Sequence, residues 1–167
     1  LIPGSREWLL HSFSVARLFC VCLQETRARR NRTYVDGKNQ VLVIQSAAEE
    51  GSYGCEIWLN LRAPIATCNG HNVYISREHV SPIISEPRCL AIVVQTRVCR
   101  FGVISLHSPH SQSKSMSAWW SQLNVWFSVV KSKTQNIVVC ADFNASFLLS
   151  DADAIVFGGV GSTKKTS

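Results

Sequence analysis

The order of elements legible in the sequence predicts an α+β fold in the broad α/β sense, with packed mixed β-sheets flanked by helices. Three observations carry this. Short apolar runs rich in β-branched residues recur along the chain, and strand-to-strand connections dominate. Two stretches, one near the start and one at 114–131, instead carry apolar residues at helical spacing. No internal repeat, linker or composition shift divides the 167 residues, so a single domain over 1–167 is expected.

The elements follow in order. Ser5 is placed to cap a helix starting near Arg6, with Trp8, Leu9, Ser12, Phe13 and Ala16 as its apolar face. Leu18 to Leu23 is a continuous apolar run, short enough for a strand buried on both faces. It stops at Gln24-Glu25-Thr26-Arg27. A carboxylate there needs a partner, either Arg27, a metal ion or water at the sheet rim. A basic loop, Arg27 to Arg32, precedes a strand at Val41–Ile44. Gly51 and Gly54 mark a turn. Cys55 to Leu61 alternates, with Glu56, Trp58 and Asn60 on one face, and predicts a half-buried strand.

Pro64 to Asn72 is read as loop and Val73–Ile75 as a short strand, with Pro82 and Pro87 breaking the segment that follows. Cys89–Val98 and Val103–Leu106, linked through Arg100-Phe101-Gly102, predict an antiparallel hairpin. Lys114 to Lys131 predicts a helix with a stripe of Met116, Trp119, Trp120, Leu123, Phe127 and Val130. Asn136 to Ala145 then reads as a buried strand ending in Asp142 and Asn144. Beyond it, Phe147–Leu149 and Ile155–Phe157 are apolar, and Asp151 and Asp153 read as loop carboxylates.

Bulk composition narrows the function classes. Hydrophobic residues at 46% against charged residues at 17% suit a globular chain rather than a disordered one. No apolar run approaches membrane-spanning length, no signal peptide is legible, and Leu1-Ile2-Pro3-Gly4 reads as the start of a fragment. Seven cysteines without a Cys-x-x-Cys pair argue against a zinc knuckle and for buried reduced thiols in an intracellular protein. The sequons at Asn31 and Asn144 are therefore discounted. The net charge of +6 suits a polyanionic partner, with Arg27, Arg29 and Arg30 as its densest contacts.

Three apolar runs end in polar groups: Gln24-Glu25, His107-Ser108-Pro109 and Asp142-Phe143-Asn144. Gathered at one rim, they would form one site. Glu25 and Asp142 would bind a hard divalent cation through oxygen, with water completing the shell. His107 and Asn144 would hydrogen-bond a phosphate oxygen. Such a site suits metal-assisted phosphodiester hydrolysis. Taken alone, Asp142 and Asn144 could equally be an Asx turn closing a strand.

The set Leu23-Gln24-Glu25-Thr26, Gly54-Cys55-Glu56-Ile57-Trp58-Leu59, His107-Ser108-Pro109-His110 and Ala141-Asp142-Phe143-Asn144-Ala145 resembles the endonuclease/exonuclease/phosphatase superfamily. Within it, the chain is most similar in style to the endonuclease domains of LINE-type retrotransposons, over roughly Trp8 to Ala145. The resemblance implies a four-layer sandwich of two mixed sheets face to face with helices outside. It implies Mg2+ or Mn2+ held by Glu25, Asp142 positioning or activating the attacking water, and Asn144 on the scissile phosphate. It also implies that His107 stabilises the phosphate or assists the leaving oxygen, and that DNA is the partner of a nuclear, non-membrane protein.

The sequence departs from the pattern in three places. Ala141 replaces the usual Gly before Asp. The family's first strand, with its metal-site Asn, is expected ahead of the first helix and is not found. Its closing Ser-Asp-His element is not found either, and His71, His79 and His110 do not replace it. The fragment alone is thus expected to be inactive or nearly so. Two other functions stay open: a non-catalytic remnant that binds nucleic acid or protein, and a phosphatase of the same superfamily acting on a small phosphoester.

Overall fold

The computed structural model describes residues 4–109 and 116–144. Helix α1 (Ser5–Val15) is followed by strands β1 (Cys20–Gln24), β2 (Arg32–Asp36), β3 (Val41–Gln45) and β4 (Cys55–Asn60). A small hairpin, β5 (Ala66–Cys68) and β6 (His71–Val73), leads through a 3-10 turn to β7 (Val80–Glu86), β8 (Cys89–Gln95) and β9 (Arg100–His107). Helix α2 (Met116–Lys131) and β10 (Ile137–Asp142) complete the described chain.

Two four-stranded sheets form, in the orders β1-β4-β3-β2 and β10-β9-β8-β7. The first is antiparallel. The second is mixed, because α2 carries the chain back so that β10 lies parallel to β9. Period-two alternation then sorts the side chains into layers. Leu42, Ile44, Cys55, Ile57 and Leu59 face Leu90, Ile92, Val94 and Val103 across the sandwich. Val41, Val43 and Trp58 face Leu10 and Phe13 of α1. Cys89, Ala91, Ile104 and Leu106 face Trp119, Leu123 and Val130 of α2. The result is an α/β/β/α sandwich.

Several sequence expectations change. Ser5 is the first residue of α1 rather than its cap; Gly4, in the left-handed region, stands there without a side-chain cap. The buried face of α1 is Leu10 and Phe13, while Trp8 is 66% exposed. β4 is buried on both faces, not one, because α1 covers Glu56, Trp58 and Asn60. Glu56 tolerates this because Arg6 pairs with it at 2.9 Å and Trp58 Nε1 donates to it at 2.6 Å. β1 is only half-buried, since it lies at a sheet edge.

Two further strands form: β2 begins at the last residue of the basic loop and runs through a stretch with no predicted element, and β7 lies in the proline-broken segment. Both are edge strands. Pro82 sits at a register shift in β7, where its missing N–H disturbs little. Cys68, read as loop, belongs to β5. β10 is likewise an edge among the described residues, with Val138 53% and Val139 38% exposed, not a buried strand. His110, Ala145 and the tail with Asp151 and Asp153 lie outside the described residues.

Candidate functional site

Parallel pairing makes β9 and β10 end on the same side, and the register sets Asp142 directly beside His107. The carboxyl ends of adjacent parallel strands are where open sheets commonly collect ligands. β1 of the other sheet ends at the same rim. Gln24 Nε2 donates to Ser105 Oγ at 3.1 Å and to the Cys140 carbonyl at 3.4 Å, and Ser105 Oγ donates to the Leu23 carbonyl at 3.4 Å. These bonds stitch the ends of β1, β9 and β10 together.

Glu25, one residue past β1, turns into the left-handed region at φ 54° and brings its carboxylate within 3.8 Å of His107 Nε2. The Glu25 side chain is 53% exposed and His107 is buried, so the pair has one face to solvent. The partner of Glu25 is therefore His107; no ion pair with Arg27 forms. Arg27 instead donates its backbone N–H to the Tyr53 carbonyl at 2.8 Å, and Thr26 donates to the Gly54 carbonyl at 3.1 Å. Gly54 is required here: at φ 86°, an added Cβ would stand 3.1 Å from Thr26 Oγ1 and 3.2 Å from Arg27 N.

Asp142 and Asn144 form the Asx turn that the sequence also allowed. Asp142 Oδ1 accepts the Asn144 N–H at 3.0 Å. Asn144, at φ 47°, donates from Nδ2 to the Ser108 carbonyl at 2.9 Å, and Ser108 N–H donates to the Asp142 carbonyl. Ser108 Oγ also donates to the Phe143 carbonyl. The turn thus fixes both side chains against the end of β9, and among the described residues Asp142 Oδ2 and the second Asn144 Nδ2 hydrogen take no hydrogen bond.

Among the described residues, four of the eight non-glycine residues at positive φ lie at this rim: Glu25, Arg27, Tyr53 and Asn144. Each such residue costs of order 1 kcal/mol, and such strain clusters where geometry serves function. Arg27, Arg29 and Arg30 are exposed on the chain leaving β1. No helix among the described residues is long and apolar enough to cross a membrane.

The donor set matches a hard cation. Mg2+ typically keeps several waters and takes one or two carboxylates, which is what exposed Glu25 and Asp142 offer. Among the described residues, no group of three or more His, Cys, Asp or Glu side chains gathers to enclose a metal. A depression on α2 is lined by Asn124, Val125, Ser128, Val129 and Ser132, none of them titratable.

Sequence reasoning missed Tyr53 and Arg88. The Arg88 guanidinium stacks 3.5 Å over the Tyr53 ring, whose centroid is 5.8 Å from that of His107. Only strand register reveals them, since Arg88 sits opposite His107 at the start of β8.

No family model and no curated protein sequence matches the chain. Among solved structures, it is similar to the endonuclease domain of TRAS1, a telomere-specific non-LTR retrotransposon. That likeness has a TM-score of 0.55 and 14% identity, covering 81% of this chain and 51% of that one. It is also similar to the human Nocturnin catalytic domain with bound sulfate, at a TM-score of 0.49 and 13% identity, covering 83% and 55%. The chain spans about half the length of these structures. It shares the fold of a retrotransposon endonuclease domain, as its resemblance to the endonuclease/exonuclease/phosphatase superfamily implied.

Proposed function

We propose that this chain is a Mg2+- or Mn2+-dependent phosphodiesterase domain that acts on DNA, of the kind that nicks target DNA for a retroelement. One observation carries the reading. The Glu25 carboxylate lies 3.8 Å from His107, Asp142 pairs in register with His107, and Asn144 donates to the Ser108 carbonyl beside it. The shared fold with an endonuclease domain supports it.

In this reading Glu25 and Asp142 hold the cation, which when bound supplies charge neutralisation at the phosphate and a more acidic water. The chain's own groups do the rest. Asp142 Oδ2, left open by the Asx turn, accepts the proton of the attacking water. The Asn144 N–H not committed to Ser108 donates to a phosphate oxygen. His107, 3.8 Å from the Glu25 carboxylate, hydrogen-bonds a phosphate oxygen. Arg27, Arg29 and Arg30 contact flanking phosphates.

The sequence contains no Ser-Asp-His tripeptide. This favours a second reading for the isolated polypeptide, DNA binding with little or no cleavage. Plasmid nicking with and without Mg2+, together with duplex binding, tests both. Salt-dependent binding that Asp142→Ala and Asn144→Ala weaken supports the site. Mg2+-dependent nicking lost in Asp142→Ala selects the first reading over the second. Wild-type binding that neither substitution changes overturns the site.

A further inference from the structure

We propose that the end of the sandwich opposite the strand-end site is a second contact surface for duplex DNA. The inference takes its ligand from the DNA reading above and uses none of the groups placed in that site.

Strand register sorts the charged side chains of the described residues between two ends. At the strand-end rim, the four arginines of 27–32 and Arg88 are matched by five carboxylates, Glu25, Glu49, Glu50, Glu86 and Asp142. Arg6 pairs there with Glu56, and Glu7 is left over. At the other end, Asp36 offsets Lys38 and Glu78 offsets Arg77. Six cations remain: Arg17, Arg62, Arg97, Arg100, Lys131 and Lys133. The surplus behind the net charge of +6 thus gathers away from the strand-end site. All six are exposed, and among the described residues none makes an ion pair or a side-chain hydrogen bond.

The fold holds these cations together. Phe19 and Phe101 meet edge to face at 5.8 Å and tie the two sheets at this end. Arg17 lies two residues before Phe19, and Arg100 is next to Phe101. Asn60 donates its backbone N–H to the Phe19 carbonyl at 2.9 Å, which brings Arg62, two residues on, to the same end. The Arg100 carbonyl accepts from Thr134 Oγ1 and Asn136 Nδ2, both at 3.3 Å, and so docks the link carrying Lys133 on β9. Arg97 stands on the β8–β9 turn, which Thr96 Oγ1 closes by accepting the Cys99 N–H at 3.1 Å.

Helix dipoles account for Arg17, Lys131 and Lys133, which lie at the carboxyl ends of α1 and α2. They do not account for Arg62, Arg97 and Arg100, which stand at strand ends and turns. Neighbouring strands lie about 4.8 Å apart and packed sheets about 10 Å, so the cations form an array several strands wide and two sheets deep. Duplex DNA, with one charge per about 1.7 Å of its axis, matches an array better than a single phosphoester does. β9, Arg100–His107, separates the two ends by about 23 Å. A duplex seated across the strand-end rim does not reach the far end, which therefore takes a second stretch of DNA.

The test mixes donor- and acceptor-labelled short duplexes with the protein and reads energy transfer between them. Wild type should bring the duplexes together. The triple variant Arg17→Gln, Arg97→Gln, Arg100→Gln should abolish transfer and still bind one duplex. The matching lysine triple should keep transfer, because an exposed phosphate contact needs charge rather than a fork. Arg100→Gln alone should lower the slope of log K for bridging against log[salt] by about 0.9. Transfer that survives in the glutamine triple, or wild type that binds duplex without transfer, overturns the proposal and leaves the DNA reading standing. Wild type that binds no duplex overturns both. If the glutamine triple does not fold, Lys131→Gln with Lys133→Gln decides: transfer that falls supports the surface, and unchanged transfer overturns it. Phosphatidylserine vesicles offer anionic groups without DNA. Vesicle binding that the glutamine triple weakens, with duplex transfer unchanged, assigns the surface to a membrane and overturns the proposal.

Discussion

Replacing Arg6 by Met should destabilise the fold far more than the loss of a typical surface ion pair. Glu56 is 1% exposed under α1. Arg6 grips it with both nitrogens, Nη1 on Oε1 at 3.0 Å and Nη2 on Oε2 at 2.9 Å. Among the described residues only Trp58 Nε1 otherwise donates to it, at 2.6 Å. Burial alone would lower the Arg6 pKa, but its bonds to Glu56 and Tyr34 hold it above the usual value. Removing one partner of a buried pair costs about 3–5 kcal/mol, because a charge is left behind without compensation. The Arg6 side chain retains 27% of its exposure, which moves the expectation toward the lower end, about 3 kcal/mol. Urea unfolding followed by tryptophan fluorescence measures it. Glu56→Gln in the Arg6→Met background should restore about 1 kcal/mol or more, since the orphaned charge disappears. A loss below about 1 kcal/mol for Arg6→Met would place the pair with ordinary surface bridges and refute the reasoning.

Gly102→Ala puts a Cβ 2.9 Å from Val130 Cγ1 and 3.2 Å from Thr134 Cγ2, where α2 meets β9. It should destabilise by about 1–3 kcal/mol in the same urea assay, whereas Gly37→Ala, in open space, should stay near neutral. Burial pushes the Cys55 thiol up to about 11 and also raises Cys89. The unfolded thiols ionise first, so stability should be full below pH 9 and fall as pH rises toward 11, and the fall should be shallower in Cys55→Ala. Native-state thiol titration at neutral pH should modify exposed Cys68 well before Cys55 or Cys89. The triple variant Arg27→Gln, Arg29→Gln, Arg30→Gln should lower the salt slope of DNA binding by up to about 2.7, three contacts at 0.9 each.

What the sequence made legible follows from what each element's residues had to satisfy. β8 and β9 announce themselves because both faces are covered, so Cys89 to Val94 must be apolar throughout. α2 is legible because Trp119, Leu123 and Val130 repeat at helical spacing against a sheet. β2 and β7 hide because edge strands need neither apolar continuity nor a full set of N–H donors, so Arg32 and Pro82 are tolerated in them. β4 looks half-polar because its second face is closed by an ion pair, and Glu56 reveals nothing of Arg6, 50 residues earlier. The polar strand ends were visible because each interrupts an apolar run. The partner of Glu25 was not: whether it is Arg27 or His107 depends on how the two sheets pack. Arg88 and Tyr53 stayed hidden for the same reason, since only cross-strand register sets them beside His107.

The most direct test of the strand-end site is Mn2+ titration of the 15N-labelled protein, following the histidine imidazole resonances. A cation held by Glu25 stands close to His107 Nε2, itself 3.8 Å from that carboxylate, so paramagnetic broadening should strike His107 first. Glu25→Gln should abolish it, and exposed His11 and His71 should be unaffected at the same metal concentration. Broadening that spares His107, or that strikes His107, His11 and His71 alike and persists in Glu25→Gln, would contradict a divalent-cation site at these strand ends.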